Sequence, residues 1–339
     1  YSYFCNINPN QVSLSLVSRK QKMDTLKYVS MQQLLHTFRG TSKYHLLAIL
    51  TVAIWGTTFI STKVLIENGL SPQEIFLLRF VIAYLGIWFI SPHKLLANSW
   101  KDEMWFLLSG FTGVTLYFLT ENTALSLTQT TNVAFIICTT PLLTTGLSML
   151  FYRQEKASKK LLAGSVIALI GVGILIFNGS FVLKLSPLGD ILTLCAGVSW
   201  AIYSLIIRKL SGKYASVFIT RKVFFYGIIT VLPVFMVHPF NFSIAGLMQP
   251  QVWMNLLFLS VLASLACFVV WNIVLKNLGT IQSSNYLYLN PLFTTIAAHL
   301  FLEEELTIYA LTGVLLILGG VFPVSYTHLR AHETGAYLV

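Results

Sequence analysis

The chain has 339 residues, 55% hydrophobic and 10% charged, against roughly 25% charged in soluble domains; a soluble fold could not hide so much apolar surface. Its formal net charge of +10 would suit a nucleic-acid binder, yet the basic residues are shared among short loops and read as topology signals, so nucleic acid is not expected as a partner. An all-α integral membrane protein is expected: membrane β-strands would alternate in polarity over segments of about ten residues, and no such alternation runs through the sequence.

Residues 1–44 are predicted as a cytoplasmic segment. Within it, residues 1–22 have no helical or strand period and no signal-peptide layout, so they are expected to be non-native, with Met23 or Met31 as the start and no cleavage. Apolar runs then predict ten helices over 45–66, 73–91, 104–125, 130–151, 159–178, 188–208, 215–236, 252–275, 281–302 and 307–322. At about 1.5 Å per residue, runs of this length suit a hydrocarbon core of about 30 Å. The breaks carry turn chemistry: Asn68-Gly69-Leu70-Ser71-Pro72, Ser91-Pro92, Asn178-Gly179-Ser180 and Ser186-Pro187. The last run stops at Pro323, and Val324–Val339 resembles the in-frame translation of a sequencing adapter. It is set aside with its His328 and His332, and helix ten is expected to be truncated.

Alternate loops assigned to opposite sides put Arg39, Lys43, Lys94, Lys101, Arg153, Lys156, Lys159, Lys160, Arg208, Lys209, Lys213 and Lys276 on one side and only Lys184 on the other. This asymmetry predicts a multi-pass protein of the cytoplasmic membrane with both termini inside the cell.

The two halves carry matching landmarks. Trp55 precedes Lys63 by eight residues, as Trp200 precedes Arg208. Asn122 precedes Pro141 by nineteen, as Asn272 precedes Pro291. Glu155 precedes Gly164 and Gly171 by nine and sixteen, as Glu304 precedes Gly313 and Gly320, and Arg79 and Arg221 fall early in the second helix of each half. These offsets, in one order, mark a duplication. Repeat one covers 45–178 and repeat two 187–323. Five helices per repeat make the second copy enter from the opposite face, the inverted architecture of many secondary transporters, whose substrate site lies near the midplane.

At AIWGTTFISTK and VSWAIYSLIIRK, at PLLTTGLSMLFYRQE and PLFTTIAAHLFLEE, and at the glycines that follow, the sequence resembles the EamA-like family of the drug/metabolite transporter superfamily, from His45 to Phe322. The resemblance implies ten helices, a central cavity and export or exchange of amino acids, metabolites or similar small polar compounds; no cofactor is expected. One departure is visible: Pro141 lies fourteen residues before Glu155, whereas Pro291 lies thirteen before Glu304.

Candidate residues follow from what membrane depth demands. Pro141 and Pro291 each remove a backbone N–H and crowd a carbonyl four residues back, at Ile137 and Leu287, so they predict kinks that could open a cavity or simply be packed over. Gly164, Gly171, Gly313 and Gly320 predict close helix approach. Glu155 and Glu304 read as caps at helix ends. Trp55, Tyr117, Trp200, Tyr203, Trp271, Tyr286 and Tyr288 are candidates for lining a substrate cavity, against core or interface belt. Asn122, Asn132, Asn272, Asn285 and Asn290 need partners or a wet cavity, and hydrogen bonding between helices competes with substrate binding. Glu121, matched by Trp271 in the second repeat, is expected to pair with Arg79, or failing that Lys63, and to serve coupling; a carboxylate merely reaching external water is the alternative.

Chemistry of other kinds lacks its parts. The sequence has no GxxxxGK[ST], no HExxH, no GxSxG, and Cys5, Cys138, Cys195 and Cys267 have no metal or redox spacing. A secondary transporter of small polar solutes is the reading, not an enzyme. A sensor or scaffold that moves nothing remains a rival, an intramembrane enzyme a weaker one, and a homodimer stays open.

Overall fold

A computed structural model describes residues 42–90, 95–128, 130–152, 158–177, 186–241, 243–302 and 307–321. The N-terminal segment before Ser42, the tail with His328 and His332, and the proposed caps Glu155 and Glu304 lie outside the described residues. The chain divides into two compact units, Tyr1–Leu46 and Leu47–Val339; the second holds the core and the cavity.

Among the described residues, ten long helices follow in order: α1 (Ser42–Glu67), α2 (Pro72–Trp88), α3 (100–127), α4 (130–151), α5 (Lys159–Phe177), α6 (Pro187–Ser211), α7 (Ser216–Val237), α8 (Pro250–Leu278), α9 (280–302) and α10 (Ile308–Val321). A one-turn helix, Ile244–Leu247, lies between α7 and α8. By length and composition α1, α4, α5, α6, α7 and α8 can each cross a membrane. Leu150, Phe151, Leu188, Ile191 and Leu315 are exposed, as lipid-facing side chains are.

Start signals set the boundaries. Ser71 and Glu74 form a capping box with Pro72 in the first turn of α2, and Gly69 takes a positive φ of 93° that a side chain would resist. The largest departure from the predicted ranges is α3, which starts four residues early at Trp100. Ser99 accepts a hydrogen bond from the Asp102 amide, so a polar first turn precedes the apolar run that hydropathy detects.

Two departures from α-helix share one place in the duplication. Phe111–Leu116 in α3 and Phe258–Ala266 in α8 are π-helical, and each ends six residues before its repeat's asparagine, Asn122 or Asn272. Wider turns leave the carbonyl ladder open to other donors. Trp55 Nε1 of α1 donates to the Ala263 carbonyl at 2.9 Å, and Ser199 Oγ of α6 donates to the Thr112 carbonyl. Each repeat's first helix is thus bonded to the other repeat's π segment.

The glycines read from the sequence meet in pairs. A Cβ built on Gly171 would lie 2.8 Å from the Gly313 carbonyl oxygen, and one on Gly320 would strike the Gly164 carbonyl. An early position in α5 meets a late one in α10 and the reverse, so the two helices cross antiparallel, backbone on backbone. Gly164 and Gly313 are matched positions, as are Gly171 and Gly320, so this contact exchanges the two copies and identifies an inverted repeat.

At the start of α3, acids meet bases of α7 and of the turn before it. Lys222 and Glu103, both buried, pair at 2.8 Å, and the Tyr226 hydroxyl donates to Glu103 at 2.6 Å. Lys213 pairs with Asp102 at 3.0 Å, and the Tyr214 hydroxyl donates to the same carboxylate at 2.9 Å.

Candidate functional site

The prolines shape the helices around a cavity. The α-helical ladder of α4 breaks at Cys138–Thr139, where both amides bond three residues back, and resumes at Thr140 with Pro141 in its first turn. The corresponding stretch of α9 tightens to 3-10 over Tyr286–Leu289 and resumes at Asn290 with Pro291. Ile137 and Leu287, whose carbonyls the prolines crowd, face the cavity together with Thr140 and Asn290.

The cavity is small, about 50 Å³ measured as room for the centres of water molecules, and it is open at a mouth. Trp55, Thr58 and Phe59 of α1 line it with Arg79 of α2 and with Tyr117, Phe118 and Glu121 of α3. Trp200 of α6 and Phe268 of α8 complete the wall. Both repeats therefore contribute.

One wall is charged. Arg79 is buried; its Nε donates to Ser264 Oγ at 2.5 Å and its guanidinium lies 4.5 Å over the Phe118 ring, a cation–π contact that holds the charge where little water reaches. Glu121 is also buried and accepts a hydrogen bond from the Tyr117 hydroxyl at 2.7 Å. Glu121 and Arg79 feel each other electrostatically, but among the described residues no ion pair within 4.0 Å joins Glu121 to Arg79 or to Lys63. The two charges face a common space and do not touch. Lys63 is half-buried on α1 and does not line the cavity.

The rest of the wall is aromatic. Trp55 sits 5.4 Å from Trp200 and 5.1 Å from Trp271, and Tyr117 lies 5.1 Å from Trp200, centroid to centroid. Such tilted rings give a large, stiff apolar surface with few rotamers to lose.

Other candidates from the sequence stand behind this lining. Asn272 is fully buried, donates to Thr220 Oγ1 at 2.9 Å and accepts from the Tyr203 hydroxyl at 3.0 Å, tying α8 to α7 and α6. Asn122 donates to the Pro72 carbonyl at 3.4 Å, from α3 to α2. Asn285 accepts from Ser165 Oγ at 3.3 Å, joining α9 to α5, and Asn132 donates to Thr128 Oγ1 at 3.4 Å. Trp271, Tyr286 and Tyr288 are buried and outside the lining. The buried amides thus meet the demand of membrane depth mostly by bonds between helices.

A model of the EamA-like transporter family matches residues 42–177 and 187–326. The chain belongs to the EamA-like transporter family. It is similar to an uncharacterized transporter of Archaeoglobus fulgidus, 29% identical over 83% of this chain and 96% of the relative. It is also similar to a probable amino-acid metabolite efflux pump of Escherichia coli (strain K12), 26% identical over 81% of this chain and 92% of that protein. A crystal structure with 19% identity superposes with a TM-score of 0.68 over 86% of this chain and 99% of its own, which speaks for the fold. This EamA-like protein is a multi-pass membrane transporter and not an enzyme.

Sequence reasoning missed Thr58, Phe59, Phe118, Thr140 and Phe268 as lining residues. Two signals pointed to them: Phe118 and Phe268 stand four residues before the matched asparagines, and Thr140 and Asn290 directly precede the matched prolines.

Proposed function

We propose that this EamA-like protein is a secondary transporter that exports or exchanges small polar metabolites of the amino-acid kind across the cytoplasmic membrane. The cavity alternates between the two faces as the inverted repeats rearrange. The observation that carries this is the cavity wall itself: Arg79 and Glu121 offer opposite charges to one space without spending them on each other. Buried charges of this kind line pathways or pair. A solute with an anionic and a cationic group answers both, and an aromatic wall of Trp55, Tyr117 and Trp200 holds its apolar part. The name of the Escherichia coli relative agrees with that chemistry.

The distribution of basic residues among the loops supports an orientation with both termini in the cytoplasm. A proton at Glu121, whose charged and titratable neighbours in the cavity are Arg79 and Tyr117, competes with the cation of the solute and couples its movement. Proteoliposomes loaded with labelled amino acids test this reading. Counterflow is expected for at least one of them, with Glu121→Gln flattening the dependence of flux on pH. No flux for a broad panel, from protein that is monodisperse and folded, points instead to a sensor or scaffold.

A further inference from the structure

Beside its charged wall the cavity has a neutral polar one that comes from both repeats. Thr140 and Asn290 occupy matched positions, each directly before its repeat's kink proline. Thr140 Oγ1, Asn290 Oδ1 and the Nε1–H of Trp200 are buried polar atoms without a hydrogen-bond partner, and all three residues line the cavity.

On both sides a glycine of the other repeat's first helix packs tightly against the residue before the proline. Gly197 of α6 approaches Thr140 so closely that a Cβ there would lie 3.0 Å from Thr140 Oγ1. Gly56 of α1 approaches Asn290 so closely that a Cβ would lie 2.8 Å from its backbone carbonyl oxygen, which leaves Oδ1 to find its partner elsewhere. Three unmet hydrogen-bonding groups buried around one space cost the empty protein free energy that a suitable ligand recovers.

We infer that Thr140, Trp200 and Asn290 form a specificity face that reads an uncharged hydrogen-bonding group, a hydroxyl or an amide, on the transported solute. The inference rests on the proposed transport of amino-acid-like solutes and adds to it a choice among them. The Trp200 N–H donates to the oxygen of that group; Asn290 Oδ1 and Thr140 Oγ1 accept the two hydrogens of an amide, or one of them the single hydrogen of a hydroxyl. A solute with a methyl in that place leaves the three groups unmet, which is the kind of discrimination a polar site makes well and an apolar pocket makes poorly.

The experiment compares isosteric pairs, threonine with valine and glutamine with methionine, as labelled solutes in proteoliposomes. The wild-type protein is expected to carry the hydrogen-bonding member about tenfold faster or more. Thr140→Val and Asn290→Leu should each bring the ratio towards one, and Thr140→Ser should keep it. A second readout separates recognition from scaffolding. In solute-free protein, Thr140→Val should melt at or above the wild-type temperature, because it removes a buried oxygen that has no partner. A wild-type ratio at or below one, ratios unchanged in the variants, or a lower melting temperature for Thr140→Val would each overturn the inference while transport stands. No flux for all four probes while another solute of the panel is carried would likewise overturn the inference, and no flux for the whole panel would remove the transport reading with it.

Discussion

The crossing of α5 and α10 and the cavity are both built by the two repeats, but in opposite ways. At the crossing the copies do the same thing: Gly164 and Gly171 meet Gly320 and Gly313, and each backbone fills the space the other leaves. In the cavity they diverge. Glu121 lines it whereas its counterpart Trp271 does not, and Arg79 lines it whereas Arg221 lies 5.2 Å over the Trp88 ring. The duplication supplies a symmetric frame, and the charge was placed on one side of it. Where the copies still match, a residue holds the fold or frames the cavity; where they differ, it marks chemistry.

The sharpest way to break that comparison is at the crossing. Gly171→Leu forces two backbones apart and is expected to leave no folded protein after detergent extraction. Gly171→Ala should cost about 1–3 kcal/mol. Gly146→Ala, where an added Cβ meets nothing within 4 Å, should melt at or above the wild-type temperature. Equal melting curves for all four proteins would mean that the crossing is not made backbone on backbone.

A smaller effect is expected from the divergent side. Arg79→Ala leaves Glu121 as a lone carboxylate in the cavity wall, so it should be less stable than Arg79→Ala/Glu121→Gln, by up to about 3 kcal/mol, the low end of the penalty for stranding a buried charge. A double variant no more stable than the single one would show that the two charges are not coupled.

The matched asparagines test the frame itself. Asn272→Ala strips partners from Tyr203 and Thr220 and should cost about 1–2 kcal/mol, whereas Asn122→Ala loses one contact at 3.4 Å and should cost only tenths. Thermal melting ranks the pair, and the reverse order would contradict the bonding described.

The least effect is expected before the apolar span of α3. The hydrogen bond from the Lys213 ammonium holds the Asp102 carboxyl below the usual carboxylate value. Because the folded value is the lower one, this stabilisation is present above about pH 4 and is lost as acid titrates the folded carboxyl. Asp102→Asn should melt slightly below wild type at pH 7, and the gap should narrow as the pH falls below about 4. It stays small because Lys213 is 54% exposed.

Much of the frame was legible in the sequence, because membrane depth punishes error. Ten apolar runs, two prolines at matched offsets and four spaced glycines each leave a mark that spacing alone detects. The π segments leave none: Phe111–Leu116 and Phe258–Ala266 are composed like any apolar helix, and only the hydrogen-bond ladder distinguishes them. The cavity was half legible. Glu121, Arg79, Tyr117, Trp55 and Trp200 stood out as charges or amphipathic rings, and they line it. Asn122 and Asn272 stood out equally, but a buried amide looks alike in sequence whether its partner is a solute or another helix. The pairing of Glu103 with Lys222 escaped because the spacing within one helix does not name a partner on another.

The indoles of Trp55, Trp200 and Trp271 carry a consequence of another kind. One comes from the first repeat and two from the second, with Trp55 within 5.4 Å of each of the others. At that separation their electronic transitions mix, so the chain holds an optical ruler across its own repeat boundary. The difference in near-ultraviolet circular dichroism between the wild type and Trp55→Phe separates this coupling from the chain's other four indoles, and it is expected to change when α1 turns against α6 and α8.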